Sequence, residues 1–316
     1  MDKHRAYNRD LERFFDRIME QTTQALEDDV GTGDVTTHAV VREVVKSEEA
    51  VIYTKSAGIL CGLHEAQVIF EAGGLCFHRC KTEGASIQPG EIVAKVYGPI
   101  GELLKRERTA INYLQVLSGI ATATSQLVGK HPKKVASLRK THPGLCFSEK
   151  RAVKAGGGFT HRLGLFDGLL IKDNHLACIV RELYGSVPIT EQMKIEAIKT
   201  ALKRAKQYRE EHELTSLFIE IEVESLEQMF AALECYRAEG VPDMILLDNM
   251  QPDTVTKCVT ALRAETNNDI LLEASGGITP ENIHAYIEAG VDVVSTSKIT
   301  FAAKPLDIAM KILGYK

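Results

Sequence analysis

Apolar residues near the start of the chain fall at Leu11, Phe14, Phe15, Ile18, Met19 and Leu26, the three-and-four spacing of an amphipathic helix, which predicts a helix over residues 7–29. GTGDVTT, which follows, reads as a turn. From about residue 40 to 100 the period changes. VREVVKSEEAVIYTKSAGILCG and GASIQPGEIVAKVYG are short β-branched runs cut by Gly and Pro, and the helical stretch HEAQVIFEAGG separates them, so a small α+β domain is expected. A helical pattern then runs from about Ile100 to Val128, long enough to bridge two domains.

Beyond residue 130 one theme repeats: a short apolar strand whose last residues turn polar, then a loop and a helix. The expected strands are KKVASLRKT, DGLLIKDNH, SLFIEIEVES, DMILLDNM, DILLEASGG and VDVVSTSK. Segments such as EQMKIEAIKTALKRAKQYREEH, SLEQMFAALECYRAEG and TPENIHAYIEAG carry helical periodicity between them. Strands alternating with helices argue for a parallel sheet, and six such units favour a barrel. In FIEIEVES, Ile219, Ile221 and Val223 alternate with Glu220, Glu222 and Glu224, so the acids share one face. On an edge strand that face would simply be wet. In a barrel it points inward, and inward acids near a strand end mark a site.

Composition narrows the function classes. With 316 residues, 44% of them hydrophobic, the chain can bury one large domain with an appendage. A formal net charge of -5 offers no global basic field to nucleic acid or an anionic membrane, so any anion site must be local. The opening 29 residues mix acids and bases without an apolar run, which does not fit a signal peptide, and no later stretch approaches the roughly 20 apolar residues of a membrane span. A cytoplasmic protein is expected. Seven cysteines, an odd number without paired CxxC spacing, suit reduced thiols. Cys76, His78 and Cys80 share a strand face, but no second half-site follows at zinc-like spacing, and they read as core or surface residues.

The polar residues at the strand ends are Arg139 and Lys140, Lys172 with Asp173 and His175, Glu222, Asp248 and Asn249, and Ser275 with Gly276 and Gly277. Barrel active sites gather at this one rim. Its basic half suits a polyanion, since an Arg fork binds carboxylate or phosphate and Lys adds a point charge. Its acidic half suits hydroxyls or a metal. AGGGFTHR, residues 155–162, brings a bare backbone next to His161 and Arg162, although three glycines equally make a tight loop. ASGGITPENI ends a strand and is expected to open a helix, an arrangement that holds phosphate, and STSKIT with Ser297 is expected to complete the cradle. Arg108 lies on the bridging helix and matters only if another rim covers it.

RERTAINYLQVLSGIATAT, RKTHPGL, EKRAVKAGGGFTHRLGLFDGLLIKDNHL, IEIEVESLEQ, ILLDNM and LEASGGIT together resemble quinolinate phosphoribosyltransferase, from about residue 33 to 300. The resemblance implies an N-terminal α/β sandwich domain over residues 1–128, an incomplete TIM-like α/β barrel over 129–301, and residues 302–316 packing back onto the first domain. It further implies a homodimer, or a higher even oligomer, in which one subunit's N-terminal domain caps the other's barrel. The implied activity joins quinolinate to phosphoribosyl pyrophosphate and releases nicotinate mononucleotide, pyrophosphate and CO2, a step of de novo NAD biosynthesis. Carried over position by position, Arg139, His161 and Arg162 would grip the quinolinate carboxylates, with Arg108 arriving from the partner subunit. Lys140 and Lys172 would face the pyrophosphate. Glu222 and Asp248 would hold the ribose hydroxyls or a magnesium ion, and Ser275, Gly276, Gly277 and Ser297 would receive the 5-phosphate. Lys140, Lys172, Glu222 and Asp248 are the implied catalytic set.

The sequence departs from the family pattern at Leu138 (usually Thr), Cys146 (usually Arg), Thr160 (commonly Asn) and Ser297–Lys298 (a Gly-Ala pair), which bears on phosphate geometry. Rival readings are a phosphoribosyltransferase for another aromatic carboxylate, a pyrophosphorylase-like relative of molybdenum operons, a silent binding barrel, and a phosphate-binding isomerase or aldolase.

Overall fold

The computed structural model describes residue 7 and residues 9–129, 131–132, 134–266 and 269–313. Its chain forms two compact units, neither continuous in sequence. One comprises residues 1–9, 133–139 and 159–296; the other comprises 10–132, 140–158 and 297–316.

The second of these is a sheet covered by helices. Its elements are α1 (Phe15–Val30), α2 (Val35–Val40), β1 (Ser47–Thr54), β2 (Gly58–Ile59), α3 (Leu63–Glu71), β3 (Cys76–Arg79), β4 (Ser86–Ile87), β5 (Ile92–Pro99) and α4 (Ile100–Val128). α4 has the extent that the apolar pattern predicts. α1 does not: the helical spacing pointed to residues 7–29, but Arg9–Leu11 are not helical and α1 begins at Phe15. The reason is tertiary, since Tyr7 and Arg9 belong to the other unit, where Tyr7 is buried. GTGDVTT is a turn that runs into a helix, because the Asp34 carboxylate accepts the Thr37 N–H at 2.9 Å and caps α2.

β1 and β5 pair antiparallel, with β3 on the far side of β5. The sheet's other edge is β12 (Ile308–Ile312), antiparallel to β1. Among the three glycines of AGGGFTHR, Gly156 packs against α4, where a Cβ would stand 2.3 Å from the Ala121 carbonyl oxygen. Close helix packing therefore accounts for that residue without any ligand.

The other unit is the incomplete barrel. Its strands are β6 (Val135–Ser137), β7 (Leu169–Ile171), β8 (Ile219–Val223), β9 (Met244–Asp248), β10 (Leu271–Ser275) and β11 (Val293–Thr296). They are parallel, in the order β6-β11-β10-β9-β8-β7. Helices Asp173–Tyr184, Glu191–Glu211, Leu226–Glu239 and Pro252–Thr266 fill the crossovers, as right-handed βαβ units require. Side chains that alternate along the strands stack in layers. The lowest is an apolar cluster of Tyr7, Ala136, Phe159, Phe218, Met244, Leu271 and Val293. Two residues further along β8, β9 and β10 come Glu220, Leu246 and Glu273, and two further still come Glu222, Asp248 and Ser275 at the strand ends.

Candidate active site

The strand ends of the barrel unit gather most of the residues singled out from sequence. Arg139 follows β6, and Arg162 lies three residues beyond the point where Phe159 bridges Ala136. Arg162 is 7% exposed; burial lowers its pKa, the neighbouring Arg139 lowers it further, and Glu220, Asp167 and Glu273 oppose both. Arg139 and Arg162 thus stand close enough for one to act on the other, and together they present paired positive charge. One Arg162 nitrogen donates to the Gly168 carbonyl at 3.3 Å, which fixes the guanidinium against the loop before β7.

On the facing strands, the Lys172 ammonium donates to a Glu222 carboxylate oxygen in a close ion pair. Burial raises the Glu222 pKa, Lys172 opposes that rise, and Asp248 and Asp173 add to it, so three carboxylates share one neighbourhood. Lys172 caps the helix that follows β7, where His175 Nδ1 accepts the Lys172 backbone N–H at 2.9 Å. Asn249, in a left-handed conformation with φ 53°, donates from Nδ2 to Asp248 at 2.6 Å. His175 and Asn249 thus orient Lys172 and Asp248, roles that the sequence left open. Glu224 pairs with Lys194 at 2.8 Å. A cavity of about 40 Å³ is lined in part by Asp173, Leu176, Lys194, Glu222 and Glu224.

Gly276 and Gly277 have φ 86° and 64°, and a Cβ on Gly276 would lie 2.7 Å from the Asn249 backbone nitrogen. The helix expected to open at this point does not: the chain turns through Thr279–Asn282, where Asn282 accepts the Thr279 N–H and donates to the Gly277 carbonyl, and only Ile283–Glu288 is helical. Pro280 and the Asn282 side chain stop the helix from reaching back to Gly277. What remains for a phosphate here is glycine backbone rather than a helix terminus. Ser275 Oγ accepts from Ser295 Oγ at 3.0 Å.

His161 does not stand beside Arg162 but behind it. Its Nδ1 accepts the Arg162 backbone N–H at 2.6 Å, and its Nε2 lies 3.1 Å from Glu273 and 3.3 Å from Glu220. Burial works against charge on this ring, but the Glu273 and Glu220 carboxylates overcome it and raise its pKa to about 9. Glu273 escaped the sequence reading. Its signal was a single acid at an inward position of an otherwise apolar strand, with the same parity as Ser275.

Lys140, Ser297 and Arg108 belong to the other unit. Lys140 is exposed, and its carbonyl accepts from Thr300 Oγ1 at 2.8 Å. Ser297 precedes the short helix Lys298–Phe301, and Arg108 is exposed on α4. All seven cysteines are free, with Cys76 and Cys80 exposed. Among the described residues no helix is long and apolar enough to cross a membrane.

The N-terminal domain model of quinolinate phosphoribosyl transferase matches residues 34–118, and the C-terminal domain model of the same family matches residues 120–311. A probable carboxylating nicotinate-nucleotide pyrophosphorylase of Bacillus subtilis is 38% identical over 293 residues, covering 90% of each chain. A protein of the same description from Methanothermobacter thermautotrophicus is 33% identical over 305 residues, covering 95% of this chain and all of its own. The crystal structure of NadC from Streptococcus pyogenes superposes with a TM-score of 0.77 at 33% identity, over 96% of this chain and 98% of that one. With both domain models matched in order over nearly the whole length, the chain belongs to the quinolinate phosphoribosyltransferase family.

Proposed function

We propose that the chain transfers the phosphoribosyl group of phosphoribosyl pyrophosphate to quinolinate and releases CO2, forming nicotinate mononucleotide and pyrophosphate in NAD biosynthesis. The observation that carries this reading is the meeting, at one barrel rim, of the neighbouring Arg139 and Arg162 with the Lys172–Glu222 pair. The first suits an adjacent pair of carboxylates on a small ring, and the second suits a diphosphate and a sugar.

In the reaction the bond between ribose C1 and the pyrophosphate oxygen breaks, positive charge develops on C1, and the pyridine nitrogen attacks it. Arg139 and Arg162 hold the dicarboxylate so that this nitrogen faces C1, the orientation that makes the encounter effectively unimolecular. His161 supports Arg162 from behind, and Arg108 of a second subunit closes the clamp in a homodimer or higher even oligomer. Lys140 and Lys172 neutralise the departing pyrophosphate. Glu222 and Asp248 accept from the ribose hydroxyls. Ser275, Gly276, Gly277 and Ser297 receive the 5-phosphate, with Gly276 letting the backbone come close. The glycosylated nitrogen is then cationic and stabilises the electron pair that stays on the adjacent ring carbon as CO2 leaves, and that pair takes up a proton from solvent.

Glu222 and Asp248 are hard oxygen donors in one neighbourhood, as the mutual effect on Glu222 indicates, and they suit magnesium. When bound with the diphosphate, that ion supplies charge neutralisation. The reading places the enzyme in the cytoplasm. It is tested by following pyrophosphate and nicotinate mononucleotide together with quinolinate, phosphoribosyl pyrophosphate and magnesium, with nicotinate as control. Equimolar release with quinolinate alone, abolished by a chelator and restored by magnesium, is expected. Turnover of nicotinate instead would refute the substrate assignment.

A further inference from the structure

Beneath the rim the barrel buries charge that the reaction does not touch. Glu220 and Glu273 are both 0% exposed, and the groups that face them include the His161 ring, whose Nε2 lies 3.3 Å from Glu220 and 3.1 Å from Glu273, and the Tyr7 hydroxyl beside Glu273. Leaving carboxylates unpaired in a protein interior is costly, so a cluster of this kind holds together through its charges. His161 Nε2 sits between the two carboxylates. Arg162 supplies the positive charge above them, and both glutamates act on it.

The His161 backbone adopts φ 51°, a left-handed conformation that costs a bulky residue about 1–2 kcal/mol and persists only when its surroundings fix it. Here they do. Its N–H donates to the Tyr7 carbonyl at 2.8 Å, and the Tyr7 ring meets the imidazole edge-on with centroids 5.5 Å apart. Thr160 Oγ1 donates to the same carbonyl at 3.1 Å. The carboxylates favour an imidazolium, while the Arg162 N–H at Nδ1 favours the neutral ring. In either state Nε2 carries a proton that lies between the glutamates.

We propose that Glu220 and Glu273 are positioning residues for recognition of the substrate's paired carboxylates: they hold His161, and through His161 Nδ1 the Arg162 main chain, so that the Arg162 guanidinium stands fixed at the rim. This rests on the quinolinate reading. Tyr7 closes the cluster from below. Without the two carboxylates the imidazole loses its anchor, the left-handed turn relaxes, and the guanidinium loses its aim.

The test uses the full chain with phthalate, which carries two adjacent carboxylates but no ring nitrogen to react. In Glu220→Gln and Glu273→Gln, phthalate binding measured by calorimetry is expected to weaken about tenfold or more, while the KM for phosphoribosyl pyrophosphate stays within about twofold. Glu273→Asp, which keeps the charge, is expected to recover part of the loss and replaces the glutamine variant if that does not fold. In an Arg162→Ala background the glutamine substitutions are expected to add little, because their effect runs through Arg162. Unchanged phthalate affinity, equal losses for both substrates, or additivity with Arg162→Ala would overturn the proposal. The three side chains also bring ligand atoms within 4.8 Å of one another, so one equivalent of divalent metal lost in Glu220→Gln would overturn it too. Failure of the unaltered chain to bind phthalate sinks both readings, whereas binding without turnover of quinolinate sinks only the function.

Discussion

Glu220 and Glu222 lie two residues apart on one strand and face the same way, yet they live in different chemical worlds. Glu222 reaches the rim, 8% exposed, and meets a lysine whose side chain is 42% open to solvent. Glu220 is one layer deeper, sealed by Tyr7, Phe159 and Phe218, and meets an imidazole. The strand that carries them dictates the face, but depth along the barrel decides whether a carboxylate can exchange partners with a ligand or is committed to the protein. Rim charge is available for chemistry because water and substrate can replace its partner. Interior charge can only hold something else in place.

The sharpest way to break this contrast is to remove the seal. Phe218 is 1% exposed, stacks edge-on with His161 at 5.8 Å and lies under the Arg9 guanidinium, so Phe218→Ala is expected to cost about 3–5 kcal/mol of stability, read by denaturant unfolding. Next in size, Glu222→Gln is expected to lower kcat roughly 10²–10³-fold with little change in thermal midpoint, since it strips charge from a group proposed to face ligand. Equal damage to stability would place Glu222 with Glu220 instead. Arg162→Ala is expected to raise the quinolinate KM roughly 10–100-fold, the worth of charge-assisted hydrogen bonds to a carboxylate, with kcat much less affected; an unchanged KM would remove Arg162 from the carboxylate site.

The smallest effect belongs to the outermost pair. Lys194→Ala, which breaks the Lys194–Glu224 contact, is expected to cost less than about 1 kcal/mol and to leave turnover intact. The hydrogen bond to Glu224 raises the Lys194 pKa above its ordinary value. Its contribution is therefore complete at neutral pH and disappears as the pH climbs through the raised lysine value, so the variant and the parent should converge in stability only in strong alkali.

Much of this was legible in the sequence because it follows from period and parity. FIEIEVES announced a strand with an acidic face, and the apolar pattern set α4 from Ile100 to Val128. Periodicity carries no depth, however, so Glu220 and Glu222 read alike until the barrel placed them in different layers. Tyr7 is helical, as the spacing suggests, but it packs into the lowest layer of the barrel unit, and Arg9–Leu11 separate it from α1. The phosphate loop misled for a related reason: SGG followed by a helical pattern looked like a helix start, but the Asn282 side chain satisfies the Thr279 and Gly277 backbone groups that an extended helix would have used. Such local side-chain bonds leave no periodic trace.

One pairing bears on how the molecule is made. β1 sits between β5, which comes from residues 92–99, and β12, which comes from residues 308–312. During synthesis β1 and β5 can pair once residues 47–99 have emerged, while the outer edge of β1 keeps its amides and carbonyls open until the whole barrel has been translated. An open edge that carries the apolar run Ala50–Tyr53 is a template for intermolecular pairing. The nascent chain therefore spends most of its time on the ribosome with one sheet unfinished, and its yield should respond to translation speed and to chaperones more than to any substitution at the rim.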